Sequence, residues 1–511
     1  MPGRKGAPAT FGPLAAAALL AAALGLTPLL ALAGFALLAG SGGWLQQGPA
    51  GLTPLVNTVL LVVGVGLLAG SLGTACGWLT ACCRFPGRRW LRIAQLIPLA
   101  TPAYLSAATW IDLGSRIGWR PHGLAWTLLA LSLSTYGYVV LLAGESFASA
   151  GRRQLEAARS LGAGPWRAFG RVALPMALPA IGAALALAGM EVVNELGAVE
   201  LLGVPTLSSS LLQRWQNDGD PQGAAALALM ALLVVALLIG LERQLRRRSR
   251  RWSSGNGSGG QALLWDLRGG RALLAQLITA LPPALALGLP LLWALLSLDQ
   301  LRPEDFGELL ELAVRSLGLA LLAALLTVAA GLLLALAGRW LKPPLLRRCT
   351  DLASLGYAVP GAVLALGLML LGGPLALAPL ALLIWGYLER FLAVSRQGLD
   401  AALERLHPNL EEAATLLGCD RPAVLQRVLL PLLRGPLLVG GLLVFVDVVK
   451  ELPLTLALRP FDFDTLAVRV YQYASDERLG AALLPSLLIL LLALIAAAAL
   501  VPELERSQSS G

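Results

Sequence analysis

The sequence predicts an all-α membrane protein whose roughly twelve transmembrane helices form two parallel six-helix repeats. The first observation is composition: of 511 residues, 57% are hydrophobic and 14% are charged, and the mean hydropathy is +0.73. Soluble domains carry about 25% charged residues. The second observation is that the charges cluster between apolar runs of about 20 residues, the length that spans a bilayer. The third is a motif that occurs twice, at an offset of 256 residues.

Each apolar run is expected to be a helix, because backbone polar groups in lipid must be satisfied within the segment. The short alternating strands of an outer-membrane barrel are not visible in the sequence. The first run follows Arg4 and Lys5 and is too long for a signal-peptide core, so we expect an uncleaved span. The runs lie near residues 14–39, 53–80, 94–112, 123–148, 174–194, 222–240, 272–298, 312–337, 352–372, 375–392, 431–449 and 481–501.

The basic residues predict the orientation of the chain. Loops on one side of the predicted spans carry 30 of the 39 Lys and Arg residues, and such loops face the cytoplasm. We therefore predict a multi-pass membrane protein with both termini in the cytoplasm. The same rule accounts for the basic run from Arg243 to Arg251, so no nucleic-acid partner is expected. Five Cys without CxxC spacing and two isolated His predict no tightly bound metal.

The middle of the chain predicts a boundary between two halves. Residues 246–262 are basic and then rich in Gly and Ser, which is typical of a flexible cytoplasmic linker. We predict a first half over residues 1–245 and a second half over residues 263–511, with six spans each. Because an even number of spans returns the chain to the same side, the second half should have the same orientation as the first.

The two halves share a 20-residue cytoplasmic loop, at 156–175 and at 412–431. Nine of the 20 aligned positions are identical, including a Glu, a Gly, an Arg and a Pro. In each copy a Gly after the helix-forming EAA segment permits a tight turn, and the closing Pro suits the first turn of the next span. The pattern predicts a docking element, with a plain amphipathic connector as the alternative. The motif residues are Glu156, Ala157, Ala158, Gly162, Glu412, Ala413, Ala414 and Gly418.

This loop resembles the signature loop of ABC importer permeases, in which EAA, three residues, Gly and nine residues precede an apolar residue, any residue, Leu and Pro. The resemblance implies two fused permease halves of the type I importer fold, whose loops couple to a cytoplasmic ABC ATPase homodimer. It also implies a periplasmic binding protein that delivers the cargo, and a location in the bacterial inner membrane. The sequence has no GxxxxGK(S/T) phosphate loop. We therefore expect no enzymatic activity and no cofactor on this chain, with ATP and Mg bound by the partner ATPase.

Each half also carries acidic residues near the outer end of its fifth predicted span. The first copy reads EVVNE, from Glu191 to Glu195, and the second reads DVVKE, from Asp447 to Glu451. The i, i+4 spacing predicts that both acids of a pair lie on one helical face. If the spans begin at the closing Pro of each loop, the last acid of each pair lies about 30 Å along its span.

Three interpretations of these acids remain open. Because a charged group that faces lipid costs about 2.5–3.5 kcal/mol, the acids should line a cation route, pair with basic residues as a gate, or be exposed helix ends. Basic partners for a gate are Lys450, Arg459 and Arg214. Lys450 stands where the first half has Asn194, so the site is not symmetric. The predicted path or gate residues are Glu191, Glu195, Asp447, Lys450 and Glu451.

The segment 450–482 resembles ferric-iron importer permeases in three successive pieces. These are KELP at 450–453, RPFDFDTLA at 459–467 and ASDER at 474–478. The resemblance implies Fe(III) as cargo, and this hard cation prefers oxygen ligands such as carboxylates. Permeases for thiamine, polyamines and phosphonates share the two-half architecture, so another small solute remains open.

The outer loops 195–221 and 450–480 are the predicted landing surface for the binding protein, because Arg and aromatic residues are enriched at interface anchors. An aromatic belt at the membrane surface is the alternative. The competing class is a secondary transporter, but the loop CCRFPGRRWLR contains GRR without the preceding Asp-Arg of the major facilitator motif. The predicted contacts with the binding protein are Arg214, Trp215, Arg459, Phe461 and Arg469.

Overall fold

The fold is that of a computed structural model, which describes residues 12–38, 49–149, 152–253, 265–300, 303–341, 356–492 and 494–495. Within this part of the chain the structure is helical apart from two strands of two residues each. The prediction of an all-α fold is confirmed. The two predicted cytoplasmic termini, more than half of the predicted linker and the end of the last predicted span lie outside the described residues.

The first part of the chain forms twelve helices and one strand, with a 3-10 turn at Pro49–Leu52 and a π-turn at Phe169–Ala173. The elements are α1 (Gly12–Leu38), α2 (Thr53–Cys82), β1 (Cys83–Arg84), α3 (Arg88–Ala94), α4 (Ile97–Ala100), α5 (Ala103–Arg116), α6 (Leu124–Ser149), α7 (Arg152–Ser160), α8 (Pro165–Ala168), α9 (Leu174–Asn194), α10 (Gly197–Leu201), α11 (Leu207–Gln216) and α12 (Pro221–Ser253).

The rest of the described chain begins with β2 (Trp265–Asp266) and continues through helices, with π-turns at Ala284–Gly288 and Leu425–Leu429 and 3-10 turns at Leu298–Gln300 and Gly356–Ala358. The helices are α13 (Gly270–Pro283), α14 (Leu289–Leu296), α15 (Pro303–Trp340), α16 (Gly361–Leu375), α17 (Pro379–Arg405), α18 (Asn409–Leu416), α19 (Arg421–Val424), α20 (Leu430–Val449), α21 (Pro453–Leu458), α22 (Leu466–Ser475) and α23 (Leu483–Leu492).

Eight stretches of helix in the described residues are long and apolar enough to cross a membrane. All eight overlap predicted spans, and α16, α17 and α23 overlap three more. The stretches are 14–38, 53–82, 124–148, 165–194, 221–245, 270–296, 306–340 and 421–449.

The predicted span at 94–112 is not a single helix. The chain bends between α3 and α4 and again between α4 and α5. Pro102 has extended backbone with ψ of 139° immediately before α5. Because Pro has no N–H to continue the preceding helical ladder, an apolar run of the right length is divided into three short helices.

The described chain forms two compact units. The smaller unit comprises residues 1–38 and 314–465, so α1 groups with sequence from the second half. In this unit α1 packs on α16, where a Cβ on Gly367 would lie 2.4 Å from the carbonyl oxygen of Pro28. Helix α17 packs on α20. The boundary at 246–262 between two sequence halves stays a prediction, since the compact units divide the chain at other points.

The larger unit comprises residues 39–313 and 466–511. Helix α2 packs along α6, and α9 packs on both α6 and α12. At the end of α2 the ring of Trp78 lies 5.3–5.5 Å from those of Phe147, Phe169 and Trp265. Strands β1 and β2 pair in parallel beside this aromatic cluster. Leu155 of α7 and Ala168 of α8 belong to the same buried cluster as Trp78, so the first motif loop packs against it.

Candidate coupling loops and outer acid sites

The two motif loops have the same local structure. In the first loop Gly162, with φ of +78°, separates α7 from α8. In the second loop Gly418, with φ of +88°, separates α18 from α19. Both glycines adopt the left-handed conformation, which residues with a Cβ enter only at a cost. The predicted tight turn at each motif Gly is confirmed.

The structure corrects the predicted start of the fifth spans at Pro175 and Pro431. Each span begins about ten residues earlier and continues through a π-turn that ends just before the Pro. The amide before the Pro donates to the carbonyl five residues back, from Leu174 to Phe169 in the first loop. The π-turn therefore accommodates a residue that has no N–H of its own. The estimate of 30 Å from Pro to acid does not measure the span, because the helix starts earlier.

Each motif loop exposes a leucine at its tip. Leu161 is 87% exposed and Leu417, at the equivalent position, is 86% exposed. Of the two motif glutamates, Glu412 is exposed and Glu156 is half-buried. Ala157 and Ala413 are exposed, Ala158 is half-buried and Ala414 is buried. Each loop therefore presents an apolar tip beside an acid outside the predicted spans, which suits contact with another protein.

A cavity of about 460 Å³ lies beside the second loop. Its walls come from the end of α15, from α18 and from α19. The motif residue Glu412 faces this cavity, as does Leu416 at the end of α18. The full lining is Trp340, Glu411, Glu412, Thr415, Leu416, Arg421 and Val424.

The predicted pairing of acids on one helical face is wrong in both halves. Helix α9 ends at Asn194 and α20 ends at Val449. Glu195 and Glu451 therefore lie beyond the helix that carries the first acid of each pair. Residues at i and i+4 share a face only within a continuous helix, whereas here the chain turns into the short helices α10 and α21.

The last acid of each pair caps the short helix that follows it. The Ala198 amide donates to Glu195 Oε1 over 2.9 Å, and the Leu454 amide donates to Glu451 Oε1 over 3.0 Å. Each acid stands one residue before the N-cap, Leu196 or Leu452, and accepts from the second residue of the short helix, whose N–H has no partner within the helix. The offset of 256 residues thus continues past the loops, and the acids occur twice because the same capped helix break occurs twice.

The surroundings of the two capping acids differ. Glu451 is 6% exposed, and Thr455 donates to its Oε2 from the amide over 2.9 Å and from the hydroxyl over 2.7 Å. Arg390 Nε lies 3.9 Å from Glu451 Oε1, and Tyr387 shares a 2.6 Å hydrogen bond with the Thr455 hydroxyl. Glu195 is half-buried, on a segment without an equivalent arginine among the described residues of α6.

The polar residues of α17 were missed by the sequence reasoning. Arg390 also donates to the carbonyl of Val359 over 3.0 Å, and Glu389 is 3% exposed. At the same offset the first half has Leu133 and Ser134, so a search for repeated residues passes over them. The available signal was a Glu-Arg pair inside an apolar run, since charges within a span are costly and are usually functional or paired.

Only one of the three proposed basic partners contacts the acid pairs in the described structure. Lys450 Nζ lies 2.9 Å from Asp447 Oδ1. Arg459 pairs with Asp464, and Arg214 Nη1 lies 3.4 Å from Asp220 Oδ2. Each of these two arginines therefore pairs with an acid five or six residues further along its own segment of the chain. In the first half, Tyr138 donates to Glu191 over 3.4 Å.

The residues predicted to contact a binding protein differ in their solvent exposure. Phe461 is 95% exposed, whereas Trp215 is half-buried. Arg469 Nε donates to Glu308 over 2.7 Å. Phe461 lies two residues after the half-buried Arg459, in a turn before α22, so an aromatic ring projects from a loop that is held by the Arg459–Asp464 ion pair.

One contact between outer segments was not predicted. The Tyr471 hydroxyl, on α22, donates to the Glu200 carboxylate on α10. Burial raises the pKa of Glu200, and the hydrogen bond from Tyr471 opposes that rise. Among the described residues no group of three or more His, Cys, Asp or Glu side chains could hold a metal ion. That the chain binds no metal tightly stays a prediction.

Comparison with known proteins defines the class. The sequence matches the family of binding-protein-dependent transport system inner membrane components twice, over residues 73–251 and 327–502. The chain belongs to this family, as two permease halves in one polypeptide. It is therefore a multi-pass membrane protein and a permease subunit of an ABC importer, and its helices are those of an all-α polytopic permease.

Individual relatives transport different solutes. An Fe(3+)-transport system permease protein of Haemophilus influenzae is 29% identical over 446 residues, which cover 86% of this chain and 87% of the relative. A molybdenum transport system permease protein of Escherichia coli is 32% identical over 224 residues, 39% of this chain and 96% of the relative. A diacetylchitobiose uptake system permease protein of Streptomyces coelicolor is 31% identical over 176 residues, 34% of this chain and 54% of the relative.

Proposed function

We propose that this permease imports ferric iron. The observation that carries the proposal is the similarity to an Fe(3+)-transport permease along 86% of the chain. The molybdenum and diacetylchitobiose permeases match only 39% and 34% of the chain, respectively. The segment 450–482 adds the three sequence pieces that resemble iron permeases. Carboxylates at the repeated helix breaks are suitable transient ligands for a hard cation.

Two copies of a cytoplasmic ATPase dock on the loops 156–175 and 412–431. The support is that both loops have the same left-handed Gly, the same π-turn and an equally exposed leucine. ATP binding would close the ATPase pair and move the loops, and the resulting shift between inward-open and outward-open states is a population shift. The orientation that places these loops and both termini in the cytoplasm rests on the distribution of basic residues.

A periplasmic binding protein delivers the cargo to the outer loops 195–221 and 450–480. Phe461 is the anchor that we place at the centre of this contact, because a fully exposed aromatic side chain on a pinned loop suits a partner's pocket. The binding protein would then set the choice of cargo, and the acids Glu195 and Glu451 would border the route.

The test is ATP-driven uptake of radiolabelled iron into proteoliposomes that contain this chain, its ATPase and its binding protein. Glu195→Gln and Glu451→Gln are compared with wild type, and Asp299→Asn serves as the control because Asp299 is exposed and lies outside the loops 195–221 and 450–480. Iron uptake by wild type and by the control, lost in Glu195→Gln, would support iron and an acidic route. Binding-protein-stimulated ATPase activity without iron uptake would retain the importer and reject iron.

An oxyanion is the second candidate cargo. The specific observation is that a molybdenum permease matches along 96% of its own length at a higher identity than the iron permease. The same proteoliposomes, assayed with labelled molybdate, separate the two candidates. Uptake of molybdate that excess ferric iron does not reduce would favour the oxyanion.

A further inference from the structure

Arg339, near the end of α15, joins three elements of the smaller unit. Its Nε donates to Glu411 Oε1 on α18, and Nη1 and Nη2 donate to the carbonyls of Leu403 and Leu406 at the end of α17. The Leu406 contact is 3.0 Å long. The guanidinium therefore satisfies carbonyls at the end of one helix while it binds an acid of the next.

The indole of the neighbouring residue, Trp340, also binds α18. Trp340 Nε1 donates to Glu411 Oε2 over 2.7 Å, so both oxygens of this carboxylate are engaged. The Arg421 guanidinium lies 5.6 Å from the centre of the Trp340 ring, which attaches α19 to the same residue. The helices on both sides of Gly418 are thus tied to the end of α15.

The first loop is held by apolar contacts at the same positions. An offset of 256 residues places Cys83 at the position of Arg339 and Leu155 at the position of Glu411. Both Cys83 and Leu155 are 1% exposed and belong to the core cluster that contains Trp78 and Phe147. Two buried members of one apolar cluster in the first half therefore correspond to an ion pair in the second half.

We infer that Arg339 is a positioning residue that orients the second docking helix through Glu411, whereas the first docking helix is oriented by apolar packing. The two halves therefore transmit movement through loops that are anchored by different forces. This inference rests on the proposed docking of the ATPase at these loops. It assigns no contact between Arg339 and the ATPase.

The inference predicts a local effect of Arg339→Met. Removal of the guanidinium frees the ends of α17 and α18, so the backbone amides of 409–418 should exchange hydrogen about tenfold faster, the size expected for lost bonds to a charged group. Exchange in 152–162 should not change. The ratio of cargo imported to ATP hydrolysed should fall, also by about tenfold, while basal ATPase activity of the assembled complex is kept.

The repeat supplies the rescue variant. Arg339→Cys combined with Glu411→Leu places the two apolar residues of the first half at the equivalent positions of the second half. This double variant should restore both the exchange rate and the coupling ratio to within about threefold of wild type, because apolar packing replaces the ion pair. Arg405→Met is the control for loss of a basic residue. Arg405 is exposed at the end of α17, the helix whose last carbonyls Arg339 binds. Arg339→Lys keeps the charge without the planar fork and should be intermediate.

The outcomes separate the inference from the proposed function. Unchanged exchange in 409–418 and unchanged coupling in Arg339→Met would overturn the inference. Faster exchange with unchanged coupling, together with unchanged coupling in Gly418→Val, would keep the anchor and reject the docking role of the loop. If Arg339→Met does not fold, exchange in Arg339→Lys decides, and a rate equal to wild type in 409–418 would overturn the inference.

Discussion

The ion pair between Arg390 and Glu451 gives a residue-scale prediction about the second half. Both side chains are almost fully buried, and their charged atoms approach to 3.9 Å. Arg390→Met should lower the free energy of unfolding by about 3–5 kcal/mol, because it leaves a carboxylate buried without its basic partner. The measurement is the midpoint of denaturant unfolding of the purified protein.

The control for this prediction is the double variant Arg390→Met with Glu451→Gln. An amide at 451 can still accept the capping bonds from α21, and it carries no charge to bury. The double variant should therefore be more stable than Arg390→Met alone. Equal losses in the single and double variants would show that Arg390 stabilises the protein through packing and its bond to Val359 rather than through the charge of Glu451. Ser134→Ala, at the equivalent position of the first half, should have little effect.

At the scale of residues, the sequence predicted where the acids repeat but not what they do. The offset of 256 residues correctly relates Glu195 to Glu451, and the structure gives both the same capping bond. Their role as caps was missed because spacing alone does not reveal that α9 and α20 end before them. Arg390 was missed for a different reason: it has no counterpart in the first half, and the repeat directed attention to shared positions.

The second motif loop gives a prediction at the scale of elements. Gly418 has φ of +88°, and no atom lies within 4 Å of a Cβ built on it. The Cβ of Gly418→Val therefore meets no neighbour, and the main expected cost is that of the left-handed backbone, about 1–2 kcal/mol. Because that cost is local, the protein should fold while the loop changes shape. Uptake per ATP should fall roughly fivefold or more, in line with that energy.

Gly418→Asn is the matched comparison. Asn enters the left-handed region more readily than other residues with a Cβ, so this variant should couple better than Gly418→Val. If both variants transport like wild type, then the conformation of the turn has no part in coupling. Thermal unfolding of each variant in detergent verifies that the fold is kept.

Helix α16 offers a packing prediction with a control in the same helix. A Cβ on Gly367 would lie 2.4 Å from the carbonyl oxygen of Pro28, whereas a Cβ on Gly373 meets nothing within 4 Å. Gly367→Ala must push α1 away and should cost about 1–3 kcal/mol. Gly373→Ala should be neutral or stabilising by up to about 1 kcal/mol, as Ala favours helix more than Gly. A loss of stability in both variants would argue that the contact with α1 is not the cause.

Hydropathy predicted most elements, and its failures have identifiable causes. The apolar run predicted at 53–80 has no Pro in its interior, and it forms a single helix at 53–82. The run at 94–112 did not, because Pro98 and Pro102 interrupt its ladder. The motif prolines have the opposite outcome: the sequence predicts a helix start at Pro175, but a π-turn lets the helix continue through that residue.

At the scale of the molecule, the composition of the compact units was not predictable from the repeat. The repeat divides the sequence into consecutive halves, but the smaller unit takes residues 1–38 from the beginning of the chain. The larger unit likewise takes residues 466–511 from its end. Nothing in the apolar pattern of α1 distinguishes a helix that packs within its own half from one that packs with the other, because both need only a continuous apolar surface.

Because each compact unit combines segments from both sequence halves, the structure predicts how the protein behaves when the chain is cut between the halves. A cut after residue 258 falls in the predicted linker and yields the fragments 1–258 and 259–511. Each compact unit contains sequence from both fragments, so neither fragment alone can complete a unit. Expressed together, the fragments should copurify through a tag on one of them and support ATP-driven uptake within about threefold of the intact chain, because a flexible linker contributes little beyond effective concentration. Expressed separately, each should aggregate or be degraded. Fragments that fold alone and do not copurify would show that the sequence halves, and not the exchanged units, are the folding units of this permease.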